Sequence, residues 1–220
     1  VLLVGRRSTI EGELKRFAIH GLPIEVLDAP DVVTMDESPV KAIRQKGSSI
    51  VMGLEAVKNG KASAFVSAGN SGAVMACALF TLKRLADIER PAIATPVPTS
   101  NSTCLLIDAG ANVDCKPQHL RDFAVMGATY MKALLGKSAP TVGLLANGEE
   151  ESKGNDLTQK AAEALKAAPV RYTGYIEGRD IFKGKVDVVV CDGFVGNAIL
   201  KASEGLAEMI LSLIKTELTK

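Results

Sequence analysis

The residues best suited to chemistry in this 220-residue chain stand immediately after short apolar runs. Four such places are polar and glycine-rich: Ser67-Ala68-Gly69-Asn70-Ser71-Gly72-Ala73, Asp108-Ala109-Gly110-Ala111-Asn112-Val113-Asp114, Asn147-Gly148-Glu149-Glu150 and Asp192-Gly193-Phe194-Val195-Gly196-Asn197. The first sets two glycines among small polar side chains ahead of a helix. Free N–H groups and the positive end of the helix dipole suit an anion, so this segment reads as a phosphate seat. The plainer alternative is a tight strand-to-helix turn that needs glycine only for its shape. Asp108 and Asp192 can serve as acid, base or metal ligand, and equally as helix caps or turn formers. Lys153, following the Glu149-Glu150-Glu151 run, can neutralise a phosphate or simply be solvated.

Other chemistries lack their signatures. Neither G-x-S-x-G, nor a P-loop, nor G-x-G-x-x-G occurs. His20 and His119 are the two histidines; they give little material for a triad or a zinc site and read as structural. Cys191 stands beside Asp192 without an evident activating histidine and reads as a core thiol, which disfavours a covalent acyl-enzyme. Neither a cofactor nor a metal is expected.

The elements that must position these residues follow from the apolar pattern. Runs at Val1–Val4, Ile24–Leu27, Ala64–Val66, Cys104–Ile107, Val142–Leu145 and Val186–Val190 predict buried strands. Helix-like segments at Ser8–Ile19, Pro39–Asn59, Ser71–Ala86, Leu120–Leu135, Leu157–Ala167 and from Gly196 onward alternate with them. This alternation predicts an α/β fold with a mainly parallel sheet. Ser38-Pro39 marks a helix start and Asn59-Gly60 a helix end. One domain over residues 1–220 is expected, with Pro91–Thr103 as a candidate crossover between subdomains. In such sheets ligands gather at the carboxyl ends of strands, which predicts a crevice lined by Ser67, Asn70, Asp108, Asn112, Asn147, Asp192 and Asn197.

With 26 basic against 25 acidic residues, broad electrostatic binding to nucleic acid is disfavoured. No apolar run reaches the roughly 18 residues of a membrane span, and the four cysteines, Cys77, Cys104, Cys115 and Cys191, show no C-x-x-C spacing. A soluble protein of the reducing cytoplasm is expected. The chain opens directly in a strand-like run and stops inside a helical pattern, which reads as a piece of a longer protein.

Taken together, Ser67–Ala73 (SAGNSGA), Asp108–Cys115 (DAGANVDC), Gly143–Glu150 (GLLANGEE) and Asp192–Asn197 (DGFVGN) resemble the PlsX phosphate acyltransferases. Asp36-Glu37-Ser38-Pro39 and Glu177-Gly178-Arg179-Asp180 extend the resemblance over essentially the whole chain. Ser71 departs from a more usual threonine, and Ala146-Asn147 shifts the usual order before Gly148. The resemblance implies a three-layer α/β/α sandwich similar to phosphotransacetylases and to the isocitrate and isopropylmalate dehydrogenases. It implies reversible transfer of a long-chain acyl group from acyl-[acyl carrier protein] to inorganic phosphate, an early step of phospholipid synthesis. It also implies a homodimer, peripheral membrane contact and a downstream glycerol-3-phosphate acyltransferase as partner.

On that footing Ser67, Gly69, Asn70, Ser71 and Gly72 are assigned to phosphate, and Asn70, Asp108, Asn112, Asp192 and Asn197 to catalysis by orienting phosphate or thioester. Direct attack of phosphate in a ternary complex is expected, with positioning as the main source of rate. Lys41, Arg44 and Lys46 form a candidate docking patch for the acidic carrier protein. The last helix sets Ile199, Ser203, Leu206, Ile210 and Leu213-Ile214 along one apolar stripe, expected to face the core or a dimer partner in preference to a membrane surface. Rival readings are a phosphotransacetylase-like enzyme using acyl-CoA, a β-decarboxylating dehydrogenase and a non-enzymatic membrane scaffold.

Overall fold

The computed structural model describes residues 1–219 and divides into two compact units, one formed by Val1–Ala86 and the other beginning at Asp87. In the first unit the two apolar runs form β1 (Leu2–Gly5) and β2 (Glu25–Asp28), paired in parallel across the short helix α1 (Arg7–Leu14). Ser38 and Pro39 open a helix where expected, but the single helix predicted over Pro39–Asn59 is two: α2 (Pro39–Arg44) and α3 (Ser49–Lys58). Gly47 explains the break. A side chain there would bring a Cβ within 2.6 Å of the Asp31 carboxylate, and the Gly47 carbonyl accepts the Asp31 N–H at 3.2 Å. Ser48 then restarts the helix, its hydroxyl accepting the Val51 N–H at 3.3 Å. The Asn59-Gly60 stop is confirmed: Gly60 has φ +72°, and the Lys61 N–H closes on the Ala56 carbonyl at 2.9 Å.

The strand predicted at Ala64–Val66 does not form. Val66 is 92% exposed, and the segment walls a trough of about 660 Å³ whose other side is Val1–Val4. Next comes α4 (Ser71–Thr81), which ends before the predicted Ala86 and packs with α2 and α3 around Ala42, Ile50, Val51, Leu54, Ala73 and Cys77.

The second unit is a five-stranded sheet. Its strands are β3 (Ala94–Pro98), β4 (Thr103–Ile107), β5 (Thr141–Leu145), β6 (Arg171–Ile176) and β7 (Val188–Val190). They lie in the order β3-β4-β7-β5-β6, parallel except for β3, which runs antiparallel to β4. The Pro91–Thr103 stretch therefore holds a strand. Four helices follow the strands: α5 (Pro117–Leu135), α6 (Asp156–Lys166), α7 (Gly178–Lys183) and α8 (Gly193–Leu218).

Alternation along each strand divides the core into two faces. Leu105, Ile107, Val142, Leu144, Val188 and Val190 pack with Leu120, Phe123, Met131, Ala161 and Leu165 of α5 and α6. Cys104, Leu106, Leu145, Val189 and Cys191 point the other way, with Ile181 of α7 and Ile199 and Leu200 of α8 against them. Three layers result, α5 and α6 over the sheet and α7 and α8 beneath it. Close approach is enforced at Gly127 of α5, where a Cβ would lie 2.7 Å from Val188.

Asp187 ties the base of this sheet. Its carboxylate accepts the Thr141 N–H at 2.9 Å and hydroxyl at 2.8 Å and pairs with the Lys137 ammonium at 3.0 Å. Burial opposes its ionisation, but the Thr141 bonds and Lys137 outweigh that and hold its pKa below the ordinary 3.8. A depressed folded pKa means a contribution present above the unfolded value and lost as pH falls through the folded one. Asp187→Asn is expected to cost roughly 1–3 kcal/mol at neutral pH. The difference from the parent should shrink below about pH 4, read by urea unfolding at stepped pH.

Candidate functional site

In the first unit, the Ser67–Gly72 turn sits at the start of α4. The Ser67 hydroxyl accepts the Gly69 N–H at 3.2 Å, and Asn70 is the N-cap, its Oδ1 accepting the Ala73 N–H at 3.0 Å. The N–H groups of Ser71 and Gly72, the first two helical residues, have no intrahelical partner by position, and Ser67, Ala68, Gly69 and Ser71 are exposed. The Asn70 amide nitrogen donates to three carbonyls of the preceding loop, Thr34 at 3.3 Å, Met35 at 3.1 Å and Glu37 at 2.9 Å. Both ends of the Asn70 side chain are thus engaged, which makes it the peg that holds the 34–37 turn against α4.

That turn is anchored from the other side as well. The Glu37 carboxylate, 6% exposed, pairs with Lys41 at 2.5 Å and accepts from the Gln45 amide at 2.8 Å. Hydrogen bonding by Lys41 is the main reason that the Glu37 pKa lies below its ordinary value and the Lys41 pKa above its own. Lys41 is therefore an internal partner as well as a surface charge. Arg44 and Lys46 make no ion pair among the described residues and are both exposed.

In the second unit, β4 and β5 lead into α5 and α6 on one face, whereas β7, lying between those strands, leads into α8 on the other. The chain thus leaves the sheet in opposite directions on either side of β7. Such reversals open crevices at the carboxyl ends of strands, and two of them flank β7.

The gap between β4 and β7 is closed. Asp108, fully buried, accepts five N–H bonds: from Ile93 at 3.0 Å, Gly110 at 3.2 Å, Ala111 at 3.0 Å, the Asn112 backbone at 2.7 Å and the Asn112 amide at 2.8 Å. The Asn112 amide also reaches the Pro91 carbonyl at 2.8 Å. The first turn of α8 is pressed onto this loop: the Gly193 N–H donates to the Asn112 carbonyl at 2.8 Å, and a Cβ on Gly193 would lie 2.8 Å from the Asn112 backbone. A Cβ on Gly196 would overlap the Asp108 carbonyl. Asp108 and Asn112, assigned above to orienting phosphate or thioester, build this loop with both carboxylate oxygens of Asp108 and the amide nitrogen of Asn112. Asn197 is exposed with its side chain against Gly110, whose φ of +136° only glycine adopts readily.

The gap between β7 and β5 is open. A crevice of about 450 Å³ is lined by Leu145, Ala146 and Asn147 from the end of β5, Gly154, Asn155 and Thr158 at the start of α6, Gly178, and Cys191, Asp192, Val195 and Ile199 where β7 passes into α8. Asp192 caps α8 by accepting the Val195 N–H at 2.9 Å and still borders the crevice. Asn147, whose role the sequence left open, borders it too, and its Oδ1 accepts the Gly154 N–H at 2.8 Å, clipping shut the loop between them. Gly154 adopts φ +88°. Within the loop Glu149 pairs with Lys185 at 2.6 Å and Glu151 with Lys166 at 3.4 Å, while the Lys153 stem lies against Gly148 and its ammonium makes no ion pair among the described residues. The Cys191 thiol is pushed far above its ordinary range by burial, which suits a packing role. Asn155 and Thr158 were missed in the sequence; the Asn-x-x-Thr capping pattern before an amphipathic run is the signal that marks them.

The family model described as fatty acid synthesis protein matches residues 1–220. The chain belongs to this family. Relatives named phosphate acyltransferase include one from Syntrophotalea carbinolica, 51% identical over 99% of this chain and 63% of its own length, and one from Citrifermentans bemidjiense, 53% identical over 99% and 62%. The resemblance to the PlsX phosphate acyltransferases is thereby borne out, and the chain spans somewhat under two thirds of these family members. The EutD phosphotransacetylase from Staphylococcus aureus shares the fold, with a TM-score of 0.66 over 94% of this chain and 74% of that one at 16% identity. This agrees with the α/β sandwich expected from the resemblance. Among the described residues no helix is long and apolar enough to cross a membrane.

The two glycines of α8 separate packing from propensity. Gly196→Ala is expected to destabilise by about 3 kcal/mol through overpacking against Asp108. Gly205→Ala, with nothing within 4 Å of the added methyl, should instead stabilise by up to about 1 kcal/mol. Paired thermal melts of the two variants check both signs.

Proposed function

We propose that the protein containing this chain transfers a long-chain acyl group from acyl-[acyl carrier protein] to inorganic phosphate, giving acyl phosphate for phospholipid synthesis. The observation that carries this reading is identity above half, over 99% of the chain, to relatives named phosphate acyltransferase. A phosphate oxygen attacks the thioester carbonyl, the tetrahedral intermediate expels the carrier thiolate, and the proton lost by phosphate ends on that thiol. A thiol with a pKa of about 8.5 leaves readily, so positioning can carry most of the rate.

In this reading the N–H groups of Ser71 and Gly72 and the hydroxyls of Ser67 and Ser71 receive phosphate at the start of α4, with Gly69 giving the turn its shape and Asn70 fixing it in place. Asp108, Asn112, Asp192 and Asn197 are the residues of the second unit assigned to orienting phosphate or the acyl thioester. Arg44 and Lys46 meet the acidic carrier protein, and Lys41 contributes after its pairing with Glu37. The intact protein works as a homodimer in the cytoplasm, with peripheral membrane contact that brings acyl phosphate to a glycerol-3-phosphate acyltransferase.

Incubating the intact protein with palmitoyl-acyl carrier protein and phosphate, then trapping with hydroxylamine, should yield phosphate-dependent palmitoyl hydroxamate. Product from palmitoyl-CoA but none from the carrier thioester would move the assignment to a phosphotransacetylase-like enzyme. Reversing Arg44 and Lys46 to glutamate should raise KM for the carrier protein about fivefold at low salt, with kcat little changed. The effect should fade as ionic strength rises, and an unchanged KM would exclude the patch.

A further inference from the structure

The residues that shape the Ser67–Gly72 turn do not all lie in it. Glu37 immediately precedes Ser38, the N-cap of α2, and stands 33 positions before Asn70. Its carbonyl oxygen accepts the Asn70 amide at 2.9 Å, the shortest of the three bonds which that amide donates. Its side chain runs the other way, to α2, where Oε1 meets the Lys41 ammonium at 2.5 Å and accepts the Gln45 amide at 2.8 Å. Lys41 lies within α2 and Gln45 is its C-cap, so a single carboxylate oxygen ties the helix to the residue ahead of it. The Glu37 N–H donates to the Thr34 carbonyl at 3.2 Å and closes the 34–37 turn.

From Asn70 the connection reaches the start of α4 within three residues. Asn70 Oδ1 accepts the Ala73 N–H at 3.0 Å and so fixes the first helical turn, to which Ser71 and Gly72 belong. A Cβ placed on Gly72 would lie 3.6 Å from the Pro39 ring, so the start of α4 packs closely on the start of α2 at that point. Movement of the Glu37 carbonyl is therefore passed to the Asn70 amide and on to the direction of the Ser71 and Gly72 N–H groups. Direction matters there because hydrogen bonds weaken steeply when misaligned.

We propose that Glu37 is a positioning residue for phosphate: its carboxylate, gripped by Lys41 and Gln45, holds its own carbonyl where Asn70 requires it and so aims the Ser71 and Gly72 N–H groups at the anion. This rests on the reading that phosphate is received at the start of α4, and deepens it by naming a residue outside the turn that sets the affinity. The sign of the charge makes the proposal decidable. A carboxylate in the same unit as an anion site opposes binding through space, and a Lys41 ammonium released from its partner attracts phosphate. Removing the Glu37 charge thus tightens phosphate if electrostatics alone matters and weakens it if position matters.

The test reads phosphate affinity on the intact protein in two ways, as KM in the hydroxamate assay and as the phosphate-dependent rise in melting temperature. The variants are Glu37→Gln, Gln45→Met, Asn70→Ala and the combination of Glu37→Gln with Asn70→Ala. Glu37→Gln keeps the shape of the side chain and should raise the phosphate KM about fivefold, with kcat at saturating phosphate within about twofold of the parent. Gln45→Met changes no charge, leaves Glu37 one partner short and should raise the same KM about twofold. Asn70→Ala should raise it about tenfold, and adding Glu37→Gln to it should change little more, because residues of one network are not additive. A purely structural Glu37 would instead lower the melting temperature without phosphate and leave the phosphate KM where it was.

A phosphate KM that falls or stays unchanged in Glu37→Gln would overturn the proposal, as would full multiplication of the two effects in the combined variant. Should Glu37→Gln not fold, Gln45→Met alone and with Asn70→Ala gives the same two readings. An unchanged phosphate affinity in Asn70→Ala would refute the phosphate seat itself. Absence of hydroxamate from the parent would refute the acyl-transfer reading, and the melting-temperature series would then decide on Glu37 alone.

Discussion

A carboxylate removed from water must be matched by donors or it costs several kcal/mol, and Asp108 meets that demand with five N–H groups. Four come from backbone that would otherwise lack partners, so one side chain folds the whole segment from residue 108 to residue 112. Once that loop is compact, only glycine can pass over it, and Gly193 and Gly196 let the start of α8 settle on its backbone. The direction of α8, the closure of one gap beside β7 and the openness of the other all descend from this arrangement. The crevice is what remains when one of two equivalent gaps has been filled with backbone.

The first unit solves a similar problem with an amide. Asn70 offers an acceptor to α4 and a donor to three carbonyls of the 34–37 turn, so a residue typical of a polar turn serves to fasten two segments that are far apart in sequence. Glu37 continues the connection to α2 through Lys41 and Gln45. The surface that presents Arg44 and Lys46 is consequently fixed to the same frame as the Ser67–Gly72 turn.

Strands buried on both faces were legible because they must be continuously apolar, as in Cys104–Ile107, Val142–Leu145 and Val186–Val190. The two edges were not. β3 contains Pro96 and Pro98, which usually argue against a strand but are tolerated at an edge, and β6 mixes Arg171, Thr173 and Gly174 among its apolar residues. Ala64–Val66 shows the converse, an apolar run with no sheet partner among the described residues. At the site, the position of polar residues after strands could be read, but their division of labour could not. Asp108 and Asp192 each end an apolar run and precede a small residue, Ala109 or Gly193, yet one is buried under five donors and the other caps a helix beside a crevice. That difference arises from which helix folds over which loop, a tertiary fact that no local pattern carries. The break at Gly47 is of the same kind, since its cause, Asp31, lies sixteen positions earlier.

The division into two units has an optical consequence. The chain contains no tryptophan, and its three tyrosines, Tyr130, Tyr172 and Tyr175, all belong to the second unit. Native tyrosine emission therefore comes from the second unit alone, while the unit bearing Asn70 and Glu37 contributes none. A tryptophan introduced into the first unit would be a separate channel, so the two units can be watched independently in a single cuvette.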